Sequence, residues 1–292
     1  MSTERPFGRA LCAMITPFTP AGALDLDRAR ELAVRLVSEG CDGLVLSGTT
    51  GESPTTTDAE KAALVRAVRA AVGPGPSVVA GVGTADTRHT VALAEQAAEA
   101  GADGLLVVTP YYSRPPQAAV EAHFLRVADA TDLPVMLYDI PGRTGTRIEP
   151  ETLTRLAGHS RIVAVKDCAD DLPASARIIA STPLAYYSGS EELNLPLYAV
   201  GGAGYVSTVA NVAPGPMRAV LDAFDKGDTA EAARLNARTL PLVTLMMAAG
   251  LPGTVTAKAL LGDHVREPLQ PADRETVDRL RAAYEELVRS WT

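Results

Sequence analysis

The sequence predicts an α/β protein, a (β/α)8 barrel with a helical C-terminal appendage. Three observations carry that prediction. Eight short apolar runs recur within the first 208 residues. The runs are mostly continuous rather than alternating, as parallel strands covered on both faces require. The stretches between them read as amphipathic helices. Strand followed by helix, repeated eight times with no Pro/Gly/Ser linker, is the pattern of a closed barrel. A doubly wound open sheet is the alternative, and eight units in so short a stretch favour closure.

In order, the runs are ALCAMITPF (10–18), DGLVLSG (42–48), SVVAGVG (77–83), DGLLVVTP (103–110), PVMLYDIP (134–141), RIVAVKD (161–167), LAYYSGS (184–190) and AGYVST (203–208). Helices are expected over 24–40, 56–73 and 86–101 among others, with Thr56 or Asp58 as the cap of the second. After the eighth run, segments 214–226, 228–247, 254–261 and 271–290 all look helical. The expected division is a catalytic barrel over 1–225 and a helical region over 226–292 that packs on it.

Composition narrows the function classes. A net charge of −8 and the lack of any basic run argue against a nucleic-acid surface. The N-terminus lacks the basic-then-apolar order of a signal peptide, and no apolar stretch approaches the ~20 residues that span a bilayer. A cytoplasmic protein without a membrane partner is expected. Cys12, Cys41 and Cys168 suggest no disulfide framework, and His89, His123, His159 and His264 show no metal-ligand spacing, so no metal is expected. Of 27 basic residues only Lys61, Lys166, Lys226 and Lys258 are lysines.

In a barrel of this kind the site is built at the C-terminal strand ends. Lys166 ends the apolar run IVAVK there. Loss of solvation disfavours the ammonium, and a neutral amine can condense with a ketone or aldehyde. A lysine paired with Asp167 or Asp42, or solvated at the rim, fits the same pattern. The other three lysines lie in helices or turns and are expected in solvent.

Tyr138 ends the fifth run, beside Lys166 in barrel order, where a phenol can shuttle protons. Its alternative is a rim aromatic satisfied by backbone. Tyr112 has a weaker individual case. Arg143, on the loop after the fifth strand, suits bidentate binding of a carboxylate. After the second run comes LSGTTGESP (46–54), where the N–H groups of Thr49 and Thr50 can cradle an anion. The same residues also suit a plain tight turn. GVGTAD (81–86) lacks the third glycine of a dinucleotide fingerprint. GGAGYVS (201–207) reads as close packing of strand 8 with an exposed carbonyl.

Taken in order, GTTGES (48–53), VTPYYSRP (108–115), YDIPGRTG (138–145), VAVKD (163–167), YSGSEE (187–192) and GAGYVSTVAN (202–211) resemble the pyruvate-dependent class I aldolase superfamily that includes N-acetylneuraminate lyase. Within it, the chain is most similar to the dihydrodipicolinate synthases. The resemblance covers essentially the whole chain. It implies a Schiff base between Lys166 and pyruvate, with Tyr138 as the proton-transfer residue. Thr49 would link Tyr138 to Tyr112 in a hydroxyl relay, Tyr112 reaching in from a neighbouring subunit. Gly48 and the backbone of Thr49 and Thr50 would hold pyruvate, and Arg143 the carboxylate of L-aspartate-4-semialdehyde. Gly189 and Val206 would contribute backbone contacts near the lysine. No metal or dissociable cofactor is implied. A homo-oligomer is, arranged as a dimer of dimers.

The chain also departs from the family's usual pattern. Asp139 and Ser113 stand where Asn is usual, Asp167 where Glu is common, and Glu191 where Asp is frequent. These changes lie behind the site and leave its core intact, and they are expected to bear on aldehyde preference. Around the lysine-feedback pocket, Ala85 and His89 replace Asn and Glu, while Asp58 and Lys61 replace histidines. Weak or absent inhibition by lysine is expected. Two other functions share the scaffold: a sister aldolase for neuraminate, 2-keto-3-deoxy-sugar acids or hydroxy-oxoglutarate, and a non-catalytic keto-acid-binding barrel. Arg143 and the double threonine favour the synthase; intact Lys166, Tyr138 and Thr49 argue against a mere binder.

Overall fold

The computed structural model describes residues 5–248 and 250–291, so the ends of the two expected regions, residues 1–4 and 292, lie outside it, as does 249. The strands are β1 (Ala10–Ala13), β2 (Gly43–Leu46), β3 (Ser77–Gly81), β4 (Gly104–Val108), β5 (Val135–Asp139), β6 (Ile162–Asp167), β7 (Ala185–Ser188) and β8 (Gly204–Ser207). All pair in parallel and in sequence order, and β1 pairs β8, so the sheet closes into a barrel. The open-sheet alternative is excluded.

Helices α1 (Leu26–Ser38), α2 (Asp58–Val72), α3 (Thr87–Glu99), α4 (Gln117–Ala128), α5 (Pro141–Thr144), α6 (Pro150–Leu156), α7 (Leu172–Ser181), α8 (Asn194–Ala199) and α9 (Pro214–Asp225) fill the connections. The strands are shorter than the apolar runs that predicted them. Met14 and Ile15, for example, are buried although β1 ends at Ala13, because the chain stays inside as it leaves the strand. The cap of α2 is Thr57, neither Thr56 nor Asp58. Its hydroxyl accepts the Glu60 N–H at 3.2 Å, and the Glu60 carboxylate accepts the Thr57 N–H at 2.8 Å. That reciprocal box satisfies two otherwise unpaired donors, which a single Asp cap would not.

Two apolar clusters sit either side of the strands. The larger lies between barrel and helices; the smaller fills the barrel with alternate strand residues such as Leu11, Val45, Leu106, Met136 and Ala164. Phe7 joins the inner cluster, and the nearby Tyr187 hydroxyl donates to the Gly8 carbonyl at 2.9 Å. On β6, Ala164 faces inward and Val165 outward. The two-residue period of a strand therefore turns Lys166 inward and Asp167 toward the helices. At Gly204, a Cβ would lie 1.9 Å from the Arg9 carbonyl oxygen, so the close packing expected of the GGAGYVS run is real.

Beyond β8 and α9, helices α10 (Thr229–Ala248), α11 (Gly253–Leu261) and α12 (Arg274–Trp291) form the C-terminal region. There α10 packs on α9 and α12, and Leu280 and Leu287 of α12 join the outer core. Among the described residues, no helix is long and apolar enough to cross a membrane.

Candidate active site

Lys166 is 5% exposed and lies in register with Tyr138 on β5 and Tyr187 on β7. Neither sequence alternative for its charge holds. Asp42 pairs with Arg218 at 2.5 Å, and Asp167 accepts the Ser175 hydroxyl at 2.5 Å. No ion pair to Lys166 is found among the described residues; its Nζ instead sits 4.4 Å from the centroid of the Tyr138 ring. Burial pushes the ammonium below the ordinary lysine range, with the Cys168 thiol and Glu191 pulling the other way. Gly189 makes room for this side chain. A Cβ there would lie 2.7 Å from Lys166 Cε and 2.4 Å from Cys168 Sγ.

Tyr138 is buried, and burial pushes its hydroxyl well above the ordinary phenol range. The Cys168 thiol reinforces that shift, while the Thr49 side chain, as a hydrogen-bond partner, opposes it. A phenol that holds its proton more tightly, beside an amine that holds its proton less tightly, is a pair suited to proton exchange.

The β2–α2 turn is tightly built. Ser47 and Glu52 bracket it with left-handed backbones, both at φ 53. The Thr49 carbonyl accepts the Glu52 N–H at 3.1 Å and the Thr254 hydroxyl at 3.4 Å, and the Gly48 carbonyl accepts the Ser53 N–H at 3.2 Å. The N–H groups of Thr49 and Thr50 have no acceptor among the described residues. A turn whose carbonyls are spent and whose donors are free has anion-binding polarity. The Thr50 hydroxyl shares a 2.9 Å hydrogen bond with the Thr208 hydroxyl. Glu191 then anchors the β8 end. Its carboxylate accepts from the Ser207 hydroxyl at 2.8 Å, from the N–H groups of Thr208 and Val209 at 2.6 and 3.0 Å, and from Asn194 at 3.1 Å.

A cavity of about 310 Å³ opens over this turn, a volume for small molecules. Gly48, Thr49, Tyr138 and Arg143 line it. Lys166, Gly189, Thr50 and Val206 do not: Lys166 reaches the wall through Tyr138, Gly189 backs Lys166, Thr50 turns to Thr208, and Val206 belongs to the inner cluster. Arg143 is exposed and without a carboxylate partner among the described residues. Tyr112 is not part of the cavity; it is 95% exposed with φ 72, and Tyr111 lines the wall in its place.

The structure also moves residues that sequence alone misplaces. Lys258 is buried and Lys61 half-buried, and only Lys226 of the three remaining lysines is exposed. Lys258 pairs with Glu52, which lines the cavity, and Lys61 donates to the carbonyls of Ser53 and Thr56 at 2.9 and 2.6 Å. Pro252 and Thr254 bring the C-terminal region to the same wall. Asp139 and Asp167, departures from the family pattern, face away from the cavity toward α6 and α7.

Fold and site together define a (β/α)8 barrel with a small-molecule cavity at the C-terminal ends of its strands. The sequence model of the Dihydrodipicolinate synthetase family matches residues 6–287. A 4-hydroxy-tetrahydrodipicolinate synthase 1 from Streptomyces coelicolor is 72% identical over 288 residues, 97% of this chain and 94% of that one. A 4-hydroxy-tetrahydrodipicolinate synthase from Acidothermus cellulolyticus is 57% identical, over 94% of this chain and 91% of that one. The crystal structure of the synthase from Cyanidioschyzon merolae with lysine bound superposes with a TM-score of 0.94 at 37% identity, covering 98% of this chain and 99% of that one. The chain belongs to the dihydrodipicolinate synthetase family.

Proposed function

We propose that this barrel condenses pyruvate with L-aspartate-4-semialdehyde to 4-hydroxy-tetrahydrodipicolinate, with Lys166 as the covalent nucleophile. The observation that carries the reading is a desolvated lysine without an ion-pair partner among the described residues, in register with a buried tyrosine beside an anion-binding turn.

The neutral Nζ of Lys166 adds to C2 of pyruvate, whose carboxylate the N–H groups of Thr49 and Thr50 hold. Tyr138 relays one Nζ proton to the C2 oxygen and then donates a second, so that the oxygen leaves as water, and the resulting iminium draws electrons from C3. Loss of a C3 proton gives an enamine, and C3 bonds to the aldehyde carbon of the second substrate while the aldehyde oxygen takes a proton. Arg143, on the cavity rim, holds that substrate's carboxylate. The substrate's amine then attacks C2, closes the ring and releases Lys166. Lys166 is itself the electron sink, so the chemistry requires no dissociable cofactor. The exposed, left-handed Tyr112 projects from its own subunit to complete the relay through Thr49 in a neighbour, which makes the enzyme a homo-oligomer.

Borohydride reduction followed by peptide mass spectrometry tests the reading. With pyruvate, an adduct confined to the Lys166 peptide is expected, and Lys166→Ala abolishes it. Aspartate semialdehyde should then be consumed in preference to other aldehydes. A folded protein that binds pyruvate but yields no adduct overturns the covalent mechanism.

A further inference from the structure

Glu52 closes the anion-binding turn and lines the cavity, which in the reading above takes two carboxylate substrates. An uncompensated carboxylate on that wall opposes both. Compensation comes from far along the chain. Lys258 Nζ in α11 lies 2.5 Å from Glu52 Oε1, and both side chains are 1% exposed. The other Glu52 oxygen accepts the Arg266 N–H at 2.9 Å. Lys258 also donates to the His264 carbonyl at 2.6 Å, and its Nζ sits 4.1 Å from the Phe18 ring centroid. Two further charges bear on Lys258: the Asp263 carboxylate, and the Arg266 guanidinium, which is itself bonded to Glu60 at 2.5 and 2.9 Å and to the Thr55 carbonyl at 2.7 Å.

We propose that Lys258 is a positioning residue for substrate binding: it neutralises Glu52 and fixes the 48–52 turn so that the N–H groups of Thr49 and Thr50 face the substrate carboxylate. Stability alone does not account for such a pair, since apolar residues of similar volume often serve a buried site as well. Its placement does. The ion pair stands where the C-terminal region meets the cavity wall, beside Thr254, whose hydroxyl bonds the Thr49 carbonyl. The helical region is therefore part of the substrate site, not a layer added outside it.

The charge assignment makes the two partners unequal, which a purely structural contact would not. Full-length wild type, Lys258→Met and the Lys258→Met/Glu52→Gln double variant are compared by steady-state kinetics, with circular dichroism to confirm folding. Lys258→Met leaves an unpaired anion on the wall and should raise KM for pyruvate by about tenfold or more, with a smaller change in kcat. The double variant removes that anion together with its partner and should bring KM back toward wild type by about threefold or more relative to Lys258→Met. An unchanged KM in folded Lys258→Met overturns the proposal, and so does a double variant as impaired as Lys258→Met. Should Lys258→Met fail to fold, Lys258→Gln, which keeps a polar head for the His264 carbonyl, takes its place in both comparisons. The borohydride adduct of the wild type separates the underlying reading from this one: no wild-type adduct removes the mechanism, whereas a normal adduct with equal KM values removes only the role of Lys258.

Discussion

Asp139 and Asp167 stand opposite one another at the ends of β5 and β6, directly behind Tyr138 and Lys166. Both are buried or nearly so, and they share their surroundings with Arg147 and Tyr186. Burial pushes the Asp139 carboxyl up to about 7; the Ile148 N–H opposes the shift, and the Asp167 charge adds to it. A carboxyl whose folded pKa lies above its unfolded value near 4 gives stability that is full below that value and lost as pH rises through the folded pKa. Asp139→Asn keeps an oxygen for the Ile148 N–H and removes the titration. It should stabilise the protein at pH 8 by on the order of 2–4 kcal/mol and change it little at pH 4. Urea unfolding at the two pH values checks this; an equal effect at both would refute the titration. The family's usual Asn at this position is thus an electrostatic matter behind the strand. Asp139 lies behind the site's core, as expected from sequence, so an effect on aldehyde preference would act through the strand rather than by contact. Single-residue chemistry was legible where a strand's parity controlled it. Lys166 and Tyr138 end apolar runs, and their inward aim follows from a period of two. Lys258 was misread because a lysine on a helix is solvated by default, and its partner lies on a distant loop. The one available signal was the surrounding TVTAKALL, too apolar all round for a surface helix.

At the scale of elements, the eight strands and the C-terminal helices were legible, and their ends were not. Apolar continuity reports burial, and burial outlasts the ladder wherever a loop dives back into the core, as at Met14 and Ile15. The cap of α2 was missed by one residue because the choice among Thr56, Thr57 and Asp58 rests on the Glu60 side chain folding back. That same stretch bears on regulation. His89 of α3 pairs with Asp58 of α2 at 2.9 Å, and the ammonium of Lys61 bonds two carbonyls of the preceding turn. The nearby carboxylate is engaged, the Lys61 side chain is spent on two backbone carbonyls, and Ala85 supplies no polar atom. A cationic amino acid gains little from these groups. Lysine should therefore inhibit weakly, with half-maximal inhibition above a millimolar; inhibition at lower concentration in a standard coupled assay would show that other groups hold it.

At the scale of the whole molecule, closure of the barrel gathers residues 47 through 269 around one cavity. The single chain leaves Tyr112 pointing away from it. If that tyrosine serves a neighbour, two crippled chains should repair each other. Lys166→Ala and Tyr112→Phe subunits, dissociated, mixed and reassembled, would form hybrids in which one site has an intact lysine and an intact partner tyrosine. The mixture should then recover up to about a quarter of wild-type activity, well above the sum of its parts. No recovery in confirmed hybrids would place Tyr112 outside the site.

By itself the sequence determined the barrel, the order of its strands, and the lysine, tyrosine and threonine turn at its mouth. These rest on local periodicity and on a fold rule that sends strand ends to one face. Tertiary structure alone decided that Lys166 has no ion-pair partner among the described residues, that Glu191 anchors the β8 end, and that Lys258 reaches Glu52 across the molecule. The physical reason is that desolvation and charge compensation depend on what is packed nearby in space, and no spacing along the chain encodes a neighbour two hundred residues away.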